Sequence, residues 1–232
     1  MLNYLIIDLL ILIPVMLIAL KWKFNYYRYI KPLLISILIV GAAYIIWDII
    51  VTELGHWAFN DDYLIDIRFL GLPLEEMLFF VVVPFACIFI FENLNFFLKD
   101  SKVPYQPYFY IILSIFLIII GLIFNNQGYT MIVMFSCAIF FLIAILLAPE
   151  ILEAKLFWYY IIFSFIPFII FNFLLTSIPI VLYNPDAIWG GDGWWNGRIF
   201  TIPIEDFFYN FSMLSFYFLI YIKAKSRFIK DK

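Results

Sequence analysis

Apolar residues arrive in long uninterrupted runs, and the polar residues gather between them. Seven runs approach the ~20 residues that a helix needs to cross a bilayer: about 2–20, 32–51, 73–92, 107–124, 130–148, 156–180 and 203–222. None alternates with a period of two, so the pattern predicts helices and not an outer-membrane barrel. The expected fold is an all-α integral membrane protein with seven transmembrane helices. The connecting segments leave no room for a soluble domain, so residues 1–232 form a single membrane domain. The first run lacks a basic n-region and a small-residue cleavage site, and reads as a span.

Composition agrees. Hydrophobic residues are 66% of the 232 and charged residues 13%, against about 45–50% and about 25% in soluble domains. Mean hydropathy is +1.05. A soluble globule, a disordered chain and a coiled coil are excluded. A net charge of -3, with basic residues scattered between apolar runs, excludes a typical nucleic-acid binder. Cys87 and Cys137 lie inside apolar runs and read as small buried hydrophobes. No metal site is expected.

Of the 14 Lys and Arg, only Arg68 and Arg198 fall on one side of the membrane. The positive-inside rule then puts the N-terminus outside and the C-terminus in the cytoplasm, in a multi-pass protein of the cytoplasmic (inner) membrane. Trp22, Tyr26, Tyr27 and Tyr29 read as an interfacial belt. Two long loops, 52–72 and 181–202, lie on the non-cytoplasmic side. They carry Trp57, Trp189, Trp194 and Trp195, with Trp47 just before the first, and loops this long tend to be functional.

The two loops end alike. Arg68-Phe69-Leu70-Gly71-Leu72-Pro73-Leu74-Glu75-Glu76 matches Arg198-Ile199-Phe200-Thr201-Ile202-Pro203-Ile204-Glu205-Asp206 at a separation of 130 residues, with Phe79 and Tyr209 one turn on. This predicts a parallel internal repeat of helices 1–3 and 5–7. Residues 1–105 are the first half, 106–129 the connector helix and 130–232 the second half, related by a pseudo-two-fold axis along the membrane normal.

Ionisable groups within spans are functional candidates. They are Asp8, Asp48, Glu75, Glu76, Glu205 and Asp206, all toward the outer ends of their helices. Pro73 and Pro203 suit the first helical position, which leaves four carboxylates in first turns where the helix dipole favours them. Carboxyls gathered in an apolar site share protons and set a donor beside an acceptor. Tyr209 and Asn210 sit where they reach the acid one turn earlier. Arg68 and Arg198 are the expected partners of the acids. Asp48 reads equally as a structural acid paired with one of them or as a catalytic one. Asp8 reads as interfacial, and His56 as solvated or loop-packing.

The paired motifs Pro73-Leu74-Glu75-Glu76 and Pro203-Ile204-Glu205-Asp206 resemble those of the small membrane-type carotenoid (lycopene) cyclases, which occur as two short subunits or as one fused chain. Trp47-Asp48, the stretch Gly55-His56-Trp57-Ala58-Phe59-Asn60, and the pairs Phe79-Phe80 and Phe207-Phe208 are similar too. The second half departs from the pattern, with no Trp-Asp before its loop.

The resemblance implies a redox-neutral isomerase, a lycopene β-cyclase that forms β-carotene or γ-carotene. An acid protonates the terminal alkene of a ψ end group, the next double bond attacks the cation, and a proton is lost. Glu75 and Glu205 are then the expected essential carboxyls, with Glu76 and Asp206 tuning them or taking the proton back. Asp48, Trp57, Asn60, Arg68, Phe79, Arg198 and Tyr209 are expected to support substrate, and aromatic faces stabilise cations. The implied partner is a lipophilic carotenoid from the bilayer, with a homo-oligomer or association with other carotenoid enzymes allowed. No cofactor is expected: Gly191-x-Gly193 lies in a loop without the surroundings of a dinucleotide fingerprint.

Three rival readings exist. A retinal protein needs a lysine inside the last span, which has none. A Mg-dependent membrane prenyltransferase is loosely suggested by Asn60-Asp61-Asp62-x3-Asp66 and Asp186-x5-Asp192. A proton-coupled transporter is suggested by intramembrane acids on a repeat.

Overall fold

The computed structural model describes residues 3–21, 25–191 and 196–229. Trp22, Asp192, Gly193, Trp194 and Trp195 lie outside the described residues. The chain is mostly helical. Its helices are α1 (Tyr4–Lys21), α2 (Ile30–Ser36), α3 (Ala42–Glu53), α4 (Leu74–Phe97), α5 (Pro107–Ile123), α6 (Gly128–Leu147), α7 (Pro149–Glu153), α8 (Lys155–Ser177) and α9 (Ile204–Phe228). A π-helical stretch at Ile37–Gly41 joins α2 to α3, so Tyr26–Glu53 is one 28-residue helical rod.

Among the described residues, five helical segments are long and apolar enough to cross a membrane: Tyr4–Lys21, Tyr26–Glu53, Leu74–Phe97, Gly128–Leu147 and Lys155–Ser177. Two others have the expected position but fall outside that group. Helix α5 has only 17 residues, and α9 carries five charged side chains along its 25 residues. Large apolar side chains face outward, among them Leu17, Leu20, Leu38, Ile112, Ile123, Leu146 and Ile162. Water would not tolerate so continuous an apolar exterior, and lipid does. This is an integral membrane protein.

The interior is aromatic, with Tyr4, Tyr26, Phe80, Tyr129, Phe140, Phe157, Tyr160, Tyr217 and Tyr221 nearly inaccessible. One tyrosine hydroxyl answers a specific backbone vacancy. Pro84 has no N–H to offer the carbonyl of Phe80 one turn earlier, and the Tyr217 hydroxyl donates to that carbonyl at 2.8 Å. Gly41 makes room for it, because a Cβ there would stand 3.1 Å from the Tyr217 oxygen. Tyr26, expected at the interface, is instead buried, and its hydroxyl donates to Phe85 O at 2.8 Å.

Helix α1 packs on α4, and α6 on α9. Helix α5 packs on α6, its neighbour in the chain, and two further contacts cross over: α2 packs on α9, and α8 on α4. At the far end of α4 from its acids, Glu92 accepts from the Tyr221 hydroxyl at 2.5 Å and from Lys225 Nζ at 2.6 Å, clamping α4 to α9.

The loops close the end that carries the acids. Strand β1 (Trp57–Phe59) pairs antiparallel with β4 (Val181–Tyr183). Strand β2 (Arg68–Phe69) turns back on β3 (Leu72–Pro73), and β5 (Arg198–Ile199) on β6 (Ile202–Pro203). Pro73 and Pro203 stand one place before the expected first helical position, as N-caps in extended backbone. There the fixed φ of proline serves both the end of the tight turn and the helix entry.

Candidate functional site

Each loop reaches its helix through the same turn. Leu70 and Phe200 have φ of 50° and 58°. Arg68 Nη1 donates to Gly71 O at 2.8 Å, and Arg198 Nη1 to Thr201 O at 2.8 Å. Leu74 N–H closes the first turn onto Ile67 O at 2.9 Å, and Ile204 N–H closes the second onto Gly197 O at 2.8 Å. The guanidinium groups therefore brace the turns, which corrects the expected pairing with the intramembrane acids. Arg68 also bonds Asp61 in the exposed loop. Arg198 lies 5.6 Å over the Tyr183 ring.

The four motif carboxyls divide into two kinds. Glu75 and Glu205 turn toward the loops: Glu75 Oε1 accepts from Ile65 N–H at 2.7 Å, and Glu205 Oε1 from Trp189 N–H at 2.6 Å. Thr130 Oγ1 adds a bond to Glu205 at 2.5 Å. Glu76 and Asp206 turn inward and line one cavity. Tyr4 donates to Glu76 Oε2 at 2.6 Å, and Tyr129 donates to Asp206 Oδ1 at 2.7 Å.

The cavity is narrow and apolar below these acids. It runs between α4 and α8 past Val83, Cys87, Ser164 and Phe168 to Ile11 and Met213. The eleven residues from Glu76 to Cys87 span about 16 Å of helix. Its polar end is an aromatic box. Trp57 and Tyr129 meet edge to face at 4.9 Å, Tyr129 stacks on Tyr183 at 6.0 Å, and Tyr209 approaches Tyr129 at 6.3 Å. Phe79 also lines it.

Asp48 is buried behind Glu76. Its Oδ1 accepts from Trp57 Nε1 at 2.9 Å and more weakly from Thr52 Oγ1 at 3.4 Å. Its carboxyl lies near that of Glu76, and its Oδ2 has no hydrogen-bond partner among the described residues. Neither arginine reaches it, so the expected Arg–Asp48 pair is absent among the described residues. Asp8 is not interfacial: it is 1% exposed, and neither of its oxygens has a hydrogen-bond partner among the described residues. Asn210 is buried beside the cavity with its Nδ2 unpartnered, and Tyr209 packs on Trp47 and Tyr44. Neither makes the expected bond to the acid one turn earlier.

Asn60 stays in the loop, capping a short helical turn through Asp62 N–H at 3.2 Å. His56 is half-buried against Gly128, where a Cβ would stand 2.4 Å from its Nε2. Burial holds its imidazole below the ordinary range. Burial and the neighbouring Asp206 push the Tyr183 phenol well above its usual range, so it remains a donor.

The sequence reading missed Tyr4, Tyr129, Asn172 and Tyr183. Asn172 Nδ2 and Tyr183 OH each donate to Asp206 Oδ2 at 2.8 Å. A signal existed. Upstream of the matched turns the spacing is 124 residues, not 130: Asn60 caps Asp62 as Asn184 caps Asp186, and Ile65 meets Glu75 as Trp189 meets Glu205. Six extra residues between Trp189 and Gly197 hide this register, in which Asn172 answers Asp48.

No curated protein and no solved structure matches the chain. The sequence model of the lycopene cyclase family matches residues 2–94 and 126–223, leaving out little but α5 and the two ends. The matched segments hold both acid motifs and every helix that builds the cavity, and the chain belongs to the lycopene cyclase family.

Proposed function

We propose that the protein is a lycopene β-cyclase that closes ψ end groups by proton transfer alone, with Glu76 and Asp206 as the two groups that face the substrate. The observation that carries this reading is one apolar channel with both carboxyls at its aromatic end. A polyene threads the channel, and only its last isoprenoid units reach the acids. The box of Trp57, Tyr129, Tyr183 and Tyr209 presents ring faces to the tertiary cation, each contributing about 0.5–2 kcal/mol. Exclusion of water by β1, β4 and the two turns keeps the cation from capture. Glu75 and Glu205 hold the loops over the site.

The same reading gives seven spans, with α5 and α9 completing the set, the acid-bearing end outside and the C-terminus in the cytoplasm. It also gives a parallel repeat of residues 1–105 and 130–232 around the connector 106–129. The matched turns and the reciprocal packing of α2 on α9 and α8 on α4 support the repeat. The substrate enters from the bilayer.

The test is expression in a bacterium that accumulates lycopene, with pigments read by chromatography and absorption. Conversion to β-carotene or γ-carotene is expected, unaffected by chelators. Unchanged lycopene, with the protein demonstrably in the membrane, overturns the reading.

A further inference from the structure

The two halves place their inward acids in different surroundings. In the matched register Asp48 answers Asn172, Phe59 answers Tyr183, and Asp61 answers Pro185. Each difference acts on protons. Glu76 has a second buried carboxyl, Asp48, near it, and one O–H donor, Tyr4. Two neighbouring carboxyls in an apolar interior resist ionising together, so the pair retains a proton. Asp206 has the side-chain amide of Asn172 in the place of a carboxyl. It accepts three bonds from neutral donors: Tyr129 at 2.7 Å, Asn172 at 2.8 Å and Tyr183 at 2.8 Å. Donors aimed at both oxygens favour the charged form of a carboxyl.

The arginines follow the same division. Arg68 is drawn off by Asp61 in the exposed loop. Pro185 offers Arg198 no such carboxylate, and its guanidinium lies over Tyr183, the ring whose hydroxyl bonds Asp206.

We propose that the Asp48–Glu76 pair is the proton donor of the cyclisation and Asp206 the proton acceptor, with Asn172 and Tyr183 as positioning residues that keep Asp206 ionised. This rests on the cyclase reading above. The proton passes from Glu76 to the CH carbon of the terminal dimethyl alkene, leaving a tertiary cation. The electron pair of the next alkene forms the ring carbon–carbon bond and moves the charge to the methyl-bearing ring carbon. Asp206 takes a proton from the adjacent ring carbon, whose C–H pair becomes the ring double bond. The donor pair ends one proton short and Asp206 one proton richer, so returning that proton resets the site with no net change.

Infrared difference spectroscopy of the full-length protein in lipid vesicles tests the assignment without needing turnover. A protonated-carboxyl C=O band that shifts in D2O is expected in the native protein, lost in Glu76→Gln and kept in Asp206→Asn. Asn172→Asp, which rebuilds the first half's carboxyl pair beside Asp206, is expected to gain a second such band. A band lost in Asp206→Asn but kept in Glu76→Gln, or no band that depends on Glu76, overturns the proposal. Product analysis of the same variants gives the second readout. Glu76→Gln is expected to leave lycopene untouched, whereas Asp206→Asn shifts any residual product toward other ring double-bond positions. If the native protein leaves lycopene unchanged, the cyclase reading fails while the band assignment stands or falls separately.

Discussion

Ala58 lies opposite Leu182 at the middle of the strand pair that joins the two loops, and the contacts on either side of them are reciprocal. Trp57 faces Tyr183 as Phe59 faces Val181. Asn60 N–H donates to Ile180 O at 2.9 Å, and Asn184 N–H donates to His56 O at 2.9 Å. An antiparallel pair of equivalent strands has this self-complementary form when a two-fold axis passes through its centre. Below it, α2 packs on α9 and α8 on α4, so the cavity forms only when these helices interlock.

That interlocking predicts that the covalent link is dispensable. Chains 1–125 and 126–232, divided at the turn after α5, are expected to assemble when co-expressed. Turnover should return to within about tenfold of the intact chain, the loss reflecting a lower effective concentration. Either fragment alone is expected to be inactive, because each carries only one of Glu76 and Asp206. Co-purification and pigment analysis check this. Activity from one fragment would remove the need for both carboxyls.

The neighbouring acids in each motif are predicted to separate. Glu76→Gln and Asp206→Asn each remove a group proposed to transfer a proton and are expected to lower turnover by about 10²–10⁴-fold. Glu75→Gln keeps an acceptor oxygen for Ile65 N–H and loses only the charge assistance, a cost of about 1 kcal/mol in stability. Its turnover per folded molecule is expected to stay near native. Paired thermal-stability and turnover measurements decide it, and a larger turnover loss at Glu75 than at Glu76 would return the chemistry to the loop-facing acids.

What was legible in the sequence followed from signals that a single chain carries. Run length marked the positions of the helices, and the repeated Arg-x4-Pro-x-Glu string marked the matched turns and placed the acids at one end. Which acid of each pair points inward was not legible, because Glu75 and Glu76 are adjacent and both suit a first turn. Their direction depends on Ile65 and Trp189 N–H groups that only the folded loop presents. Asp8 was misread for a related reason: its place near a span end says nothing of the helix packed over it. Asn172 was hidden by the six-residue insertion, which broke the register that would have set it against Asp48. Arg68 and Arg198 were assigned by charge, whereas turn carbonyls lay nearer.

His56 predicts a pH effect confined to the acid side. Its imidazole titrates below the ordinary 6.5 when folded, because burial disfavours the cation. Well above about pH 6.5 it is neutral in both states and contributes no pH dependence. As pH falls through that value the unfolded chain binds a proton that the folded chain resists, so stability falls. His56→Gln is expected to flatten this part of the curve of melting temperature against pH. An identical acid-side slope in the variant would show that His56 charges freely in the fold.

The buried pair at the opposite end of the bundle separates stability from chemistry. Glu92 is 1% exposed and Lys225 12% exposed along their side chains, and the ammonium also lies 4.6 Å over the Tyr29 ring. Removing one partner leaves a buried charge uncompensated, which typically costs about 3–5 kcal/mol. Glu92→Gln is therefore expected to lower the melting temperature sharply. Glu92 stands sixteen residues from Glu76 on the same helix, about 24 Å away, so turnover per folded molecule should be unchanged. Adding Lys225→Met removes the stranded charge and is expected to restore most of the lost stability, because an apolar replacement of a whole buried pair is often neutral. A double variant no more stable than Glu92→Gln alone would show that the Tyr221 hydroxyl bond to Glu92, and not the ion pair, holds α4 to α9.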